Sequence, residues 1–190
     1  MPIKQHKDQH DLSITHGKWL TENYKNVEHK IVDLENLFAE FEKTLSHYNN
    51  EHGFANSRAR LRMTTLYQVA AANSGIVVGT GNKVEDFGVG FYTKYGDGGV
   101  DISPIADCTK TQVWELGKYL GIDQKIIDAP PTDGLWNDAR TDEAQLGMTY
   151  LELEKAMANN NDPNYKKYLE IRKRNLHKMN PIPVCKFDNE

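Results

Sequence analysis

The chain has little cysteine, no long apolar run and no excess of positive charge. Its two cysteines, Cys108 and Cys185, are far apart in 190 residues. They match neither a CxxC pair nor a zinc-ligand spacing, which argues against a disulfide framework and fits reduced thiols in a cytoplasmic protein. No segment approaches the roughly 18 apolar residues of a membrane span. The opening MPIKQHKDQHD lacks the apolar core of a signal peptide, so no membrane partner is expected. Acidic residues outnumber basic ones by 27 to 23, which gives no reason to expect a nucleic-acid partner. Internal repeats and low-complexity segments are also absent.

What remains is the composition of an ordinary globular protein, 38% hydrophobic and 26% charged. A chain of this length can bury a core as one α/β domain over residues 1–190. The segment from Asp8 to Thr21 is weakly helical, and Val27 to Leu34 alternates as a strand does. From Leu34 the apolar residues Leu37, Phe38, Phe41, Leu45 and Tyr48 recur every three or four positions, a helical stripe that NNEHGF ends. A further helix is predicted from Asn56 to Ala72, with Ala59, Met63, Leu66 and Ala70 on one face. Ile76 to Val78 is short, β-branched and apolar, as expected of a strand buried on both faces of a parallel sheet. Capping patterns at TKTQ (Thr109 to Gln112) and TYLE (Thr149 to Glu152) open two more helices. In the last helix Asp162 and Pro163 sit at the start, and Tyr165, Tyr168, Leu169, Arg172 and Leu176 share a face.

In open α/β sheets ligands collect beyond the carboxyl ends of the strands. GTGNKVEDFGVGFYTKYGDGGVDISPI, Gly79 to Ile105, follows Val78 directly and holds seven glycines. Small residues at Gly79, Thr80 and Gly81 permit close approach of a ligand to the backbone. Glu85 and Asp86 supply hard oxygens of the kind that hold Mg²⁺ beside a polyphosphate, and Lys94 and Lys110 are candidate anion partners. The same run also reads as a solvated glycine-rich loop, since it contains neither GxGxxG nor a Walker loop. Two further features stay open. APPTDGLWNDARTDE, Ala129 to Glu143, is either a lid or a surface excursion. The basic RKRNLHK either complements the helix dipole or clamps an anion.

RARLRMTTLY, VVGTGNKVEDFGVGFYTKYGDGGVDISPI, TKTQV, PPTDGLW, TDEAQLGMTY and LHKMNPIPVCKF, in this order and spacing, resemble the ammonia-dependent NAD synthetases, of the adenine-nucleotide pyrophosphatase group. The motifs run from Arg58 to Phe187. The resemblance implies a Rossmann-like parallel sheet flanked by helices, of the adenine-nucleotide alpha-hydrolase type. It implies that ATP adenylates the carboxylate of nicotinic acid adenine dinucleotide with release of pyrophosphate, and that ammonia then displaces AMP. Position by position, Thr80, Lys110 and Thr132 resemble ATP contacts and Glu85 a Mg²⁺ ligand. Arg60, Lys94, Asp101, His177 and Lys178 resemble contacts to the dinucleotide. Asp86 takes no role beyond that of a neighbour to the metal ligand, and Gln5 lies near a family glutamine that helps bind ATP. The family also implies a homodimer whose dinucleotide sites straddle the interface.

One family motif, the SGGxDS phosphate loop, has no counterpart here. The resemblance therefore implies that Met1 corresponds to an internal methionine, with a strand, the loop and its helix upstream. A sheet lacking that strand is expected to show an open edge, and the chain alone is expected to turn over weakly or not at all. The competing expectations are a remnant that binds nucleotide or pairs with a complete subunit, and a general nucleotide-binding module of similar topology. The second leaves YGDGGVD and LHKM unexplained.

Overall fold

The computed structural model describes residues 1–136 and 140–187. Its regular structure there is helical. Helix α1 spans Lys7–Asn23 and α2 Glu35–Thr44, followed by a 3₁₀ turn at Ser46–Tyr48. The expected stripe on α2 is used only in part: Phe38 is buried, whereas Leu37 and Tyr48 face solvent. Helix α3, Glu51–Ala72, begins inside the segment read as a turn. The side chain of Asn50 accepts from the Gly53 amide at 2.7 Å, and this N-cap starts the helix five residues before Asn56.

The TKTQ and TYLE signals both form complete capping boxes. They open α4 at Lys110–Tyr119 and α7 at Tyr150–Ala158. Between them lie the short α5, Gln124–Ile127, and α6, Asp142–Leu146. Helix α8 runs over Tyr165–Met179. Asp162 stands just ahead of it, its carboxylate accepting from the Asn164 amide at 2.8 Å and its carbonyl from the Tyr165 amide.

Contrary to the expectation of a parallel sheet, the described residues carry one isolated parallel bridge, Val78 beside Ile102. The Gly79 amide donates to the Ile102 carbonyl at 2.7 Å and the Asp101 amide to the Val77 carbonyl at 2.9 Å. The Asp101 carboxylate takes the Val77 amide at 2.7 Å, so a side chain satisfies a donor that a neighbouring strand would otherwise use. Ile76, Val78 and Ile102 are 60%, 51% and 47% exposed, an open apolar edge rather than a buried layer. Residues 27–34, expected as a strand, form none; of their backbone groups, Leu34 donates its amide to the Pro2 carbonyl.

A six-residue π-helical turn, Val84–Val89, breaks the glycine-rich run. It ends at Gly90, whose φ of 66° is a left-handed conformation that favours glycine. Helix α8 satisfies the carbonyls leaving this turn. Arg172 donates to the Phe87 carbonyl and, at 2.7 Å, to that of Gly88; Asn175 donates to Val89 and Lys178 to Gly90, each at 2.9 Å. The turn is thereby seated on the larger core, where Val84 and Val89 pack with Leu146, Met148, Tyr150, Leu153, Ala156 and Tyr168. A smaller core of Ile3, Leu34 and Phe38 lies against Phe54 and Leu61 of α3.

Candidate functional site

A cavity of about 390 Å³ lies between α3 and the chain from Phe91 to Val100. Ala59, Met63 and Leu66, read in sequence as sharing one face of the helix, line it. Thr80 and Lys178 are the two candidate residues on its wall, and Asp133, Leu135 and Trp136 close one side. A smaller cavity of about 170 Å³ shares Gly79, Tyr92, Asp97, Val100 and Lys178 with the first and extends to Asp86. The two cavities therefore adjoin, one bordered by Asp86 of the π-helical turn and the other by Thr80.

The dinucleotide candidates are joined along the rim. Arg60 Nε donates to the Lys94 carbonyl at 3.2 Å, and Lys94 Nζ donates to the His177 carbonyl at 2.7 Å. Lys178 Nζ donates to the carbonyls of Gly90 and Tyr92, and burial lowers its pKa from the usual lysine range. Asp101 stands apart: at an exposed position, its two carboxylate oxygens accept from the Val77 amide at 2.7 Å and the Tyr67 hydroxyl at 3.1 Å. The sequence left open whether the basic end of α8 serves the helix dipole or an anion. In the structure Arg172 and Lys178 brace the carbonyls of residues 87–92, a structural use that neither alternative named.

At the other end of the site, Glu85 and Lys110 come from segments 25 residues apart and meet. Lys110 is the first residue of α4, and its Nζ lies 3.0 Å from Glu85 Oε1, with both side chains less than one-fifth exposed. The same Oε1 accepts from the Tyr150 hydroxyl at 2.6 Å, and Lys110 Nζ sits 4.8 Å from the centre of the Tyr150 ring. Among the described residues Glu85 Oε2 has no hydrogen-bond partner, and it is not among the sealed unpartnered atoms. Thr132 is turned into its own loop, where its hydroxyl accepts from the Gly134 amide at 3.1 Å. Its neighbour Asp133, with Leu135 and Trp136, reaches the cavity instead. Part of the candidate lid, 137–139, lies outside the described residues.

Two carboxyls near Glu85 are held toward their neutral form. Burial, and then the charge of Glu85, push Asp86 up to about 6. Burial pushes Asp142 up to about 6 as well, against a lowering hydrogen bond from Tyr150. The Tyr150 phenol is raised far above its ordinary value by burial, with Glu85 and Asp142 adding to the effect. Among the described residues no three His, Cys, Asp or Glu side chains are grouped so as to cage an ion. A lone carboxylate with one free oxygen suits a cation that takes most of its ligands from phosphate and water, as Mg²⁺ does.

The sequence reading missed Asn56, Asp97, Tyr150 and Asp142. Asn56 accepts from the Thr93 hydroxyl at 2.6 Å, and Asp97 accepts from the Thr93 amide at 3.0 Å. Asp97, Asp142 and Tyr150 lie in the quoted motifs and Asn56 just ahead of the first, but only the folded chain gives them partners.

The NAD synthase family model matches residues 1–182. The chain belongs to the NAD synthase family. It is 42% identical over 136 residues to the NH3-dependent NAD+ synthetase of Carboxydothermus hydrogenoformans, covering 70% of this chain and 55% of that protein. It is also 42% identical over 154 residues to the NH3-dependent NAD+ synthetase of Mesoplasma florum, covering 78% and 62% respectively. The chain thus spans less than two-thirds of the length of these curated relatives. Among solved structures, the NMN synthetase of Francisella tularensis superposes with a TM-score of 0.87 at 30% identity, over 97% of this chain and 75% of that one. The NH3-dependent NAD synthetase of Campylobacter jejuni, at 23% identity and a TM-score of 0.64 over 85% and 67%, shares the fold.

Proposed function

We propose that this chain serves the ATP-dependent amidation of nicotinic acid adenine dinucleotide to NAD with ammonia. A carboxylate oxygen of the substrate attacks the α-phosphorus of ATP, the bond to pyrophosphate breaks, and an acyl adenylate forms. Ammonia then attacks the acyl carbon, AMP leaves, and the nitrogen loses a proton to give the amide.

Negative charge moves between phosphate oxygens in the first step, so cationic groups set in place beforehand contribute most of the stabilisation. In this reading Lys110, Thr80 and Thr132 contact ATP. Glu85, with Oε2 free, holds Mg²⁺, which supplies charge neutralisation on the phosphates. Arg60, Lys94, Asp101, His177 and Lys178 serve the dinucleotide. The observation that carries the reading is the largely buried Glu85–Lys110 pair, 3.0 Å apart, in a chain whose family is established. A cytoplasmic homodimer completes the proposal.

The test is pyrophosphate release by the purified chain with ATP, the deamidated dinucleotide and ammonium. Weak turnover that needs all three is expected of the chain alone, and Glu85→Gln is expected to lower it by about two orders of magnitude. ATP binding without any dinucleotide-dependent pyrophosphate release would sink the proposal and leave a nucleotide-binding remnant. One second reading has an observation behind it: the 0.87 superposition is on an NMN synthetase. A higher kcat/KM for nicotinic acid mononucleotide than for the dinucleotide would decide for it.

A further inference from the structure

The TDEAQLGMTY segment has no role in the reading above, yet it delivers the side chains that brace Glu85. Thr149 caps α7, which fixes Tyr150 as the first residue of the helix. Tyr150 is fully buried, with Trp114 edge-on at 6.1 Å. Asp142, the first residue of α6, comes from the other side. Its Oδ2 lies 3.0 Å from the Tyr150 oxygen, and its Oδ1 is buried without a partner among the described residues.

The phenol oxygen therefore stands between Glu85 Oε1 at 2.6 Å and Asp142 Oδ2 at 3.0 Å. A phenol has one proton to donate, and two carboxylate oxygens face it. The shorter contact marks Glu85 as the acceptor. Asp142 Oδ2, the more distant acceptor, flanks the phenol oxygen from the side opposite Glu85. Lys110 closes the arrangement from over the ring, so among the described residues Oε1 is held twice and Oε2 not at all.

We propose that Tyr150, oriented by Asp142, is a positioning residue that fixes the Glu85 carboxylate with Oε2 presented to a divalent cation. The inference rests on the reading of Glu85 as the metal ligand. Partners behind a ligating carboxylate orient it, and their loss typically costs 10–100-fold in metal affinity.

The probe is Mn²⁺, titrated into the whole chain in the presence of ATP with free ion counted by electron paramagnetic resonance. Tyr150→Phe is expected to weaken Mn²⁺ binding about tenfold or more while leaving metal-free ATP affinity unchanged; a merely structural role would move both. Asp142→Ala is expected to weaken Mn²⁺ similarly. Asp142→Asn, which keeps a hydrogen-bonding oxygen of the same reach beside the phenol, should hold affinity within about threefold of the parent. A folded Tyr150→Phe with unchanged Mn²⁺ affinity overturns the proposal. Should that variant not fold, equal affinities for Asp142→Ala and Asp142→Asn overturn it instead. A parent chain that binds Mn²⁺ no better than Glu85→Gln overturns the reading of Glu85 itself, and this inference with it.

Discussion

Asp86 and Glu85 are adjacent in sequence, but the π-helical turn gives them different surroundings. Glu85 is paired with Lys110, whereas Asp86 borders the small cavity and its carboxyl is pushed up to about 6 from an ordinary 3.8. A carboxyl raised in the folded state binds its proton more tightly there than in the unfolded chain. Its contribution to stability is therefore full below about pH 4 and is lost as pH rises through about 6. Asp86→Asn should flatten this part of the pH profile and raise the melting temperature at pH 8 relative to pH 5, by an amount on the order of 1 kcal/mol in stability. Parallel melting curves for parent and variant across that range would contradict it. At this scale the sequence was partly legible. Glu85 and Lys110 could be picked out as hard oxygen and cation, and the family motifs joined them. Tyr150 could not, because a tyrosine at the start of an amphipathic helix reads as packing until its hydroxyl is seen against two carboxyls.

Among the elements, the π-helical turn and α8 form the most closely determined junction. Gly90 ends the turn at φ 66°, and a Cβ there would meet the Asn175 Cβ at 2.7 Å. Gly90→Ala therefore combines left-handed strain of about 1–2 kcal/mol with a collision against backbone-proximal atoms of α8. Gly121, at φ 74° with nothing within 4 Å of an added Cβ, carries the strain alone. Thermal melts should show Gly121→Ala falling by roughly 2–8 °C and Gly90→Ala by clearly more, since each kcal/mol is worth about 2–4 °C in a chain of this size. Equal shifts would mean that the seat of the turn on α8 is not rigid. The helices were legible because caps and a 3.6-residue period are local signals, and α4, α7 and α8 formed where these pointed. The π-helical turn was not, since six residues rich in glycine and charge show no period. The strands failed for a different reason: alternation marks a segment able to pair, but a ladder needs a neighbour, and residues 27–34 have none among the described residues.

Across the whole molecule, the cavity lies where two cores meet rather than inside either. Helix α3 carries the wall on the side of the smaller core, and the chain after the π-helical turn carries the other. Ties from α3 across the cavity include Asn56 to Thr93, Tyr67 to Asp101, Arg60 through Lys94 to His177, and Arg58 to the Leu135 carbonyl. The last is the least balanced. Arg58 is only 6% exposed and lies over the Phe38 ring at 5.9 Å, yet its Nε and Nη1 have no partner among the described residues. Burying a guanidinium with unmet donors costs about as much as its one carbonyl bond and its packing return. Arg58→Met keeps the packing and removes the buried charge, so global stability should change by less than about 1 kcal/mol. The segment at 131–136, which also leans on the stack of Trp136 against His52 at 6.1 Å, loses its anchor. Its amides should then exchange with solvent about tenfold faster, while those of α7 and α8 do not change, because loops open locally at far lower free energy than cores. Slower or unchanged exchange at 131–136 would show that the Trp136 stack, not Arg58, holds this wall of the cavity.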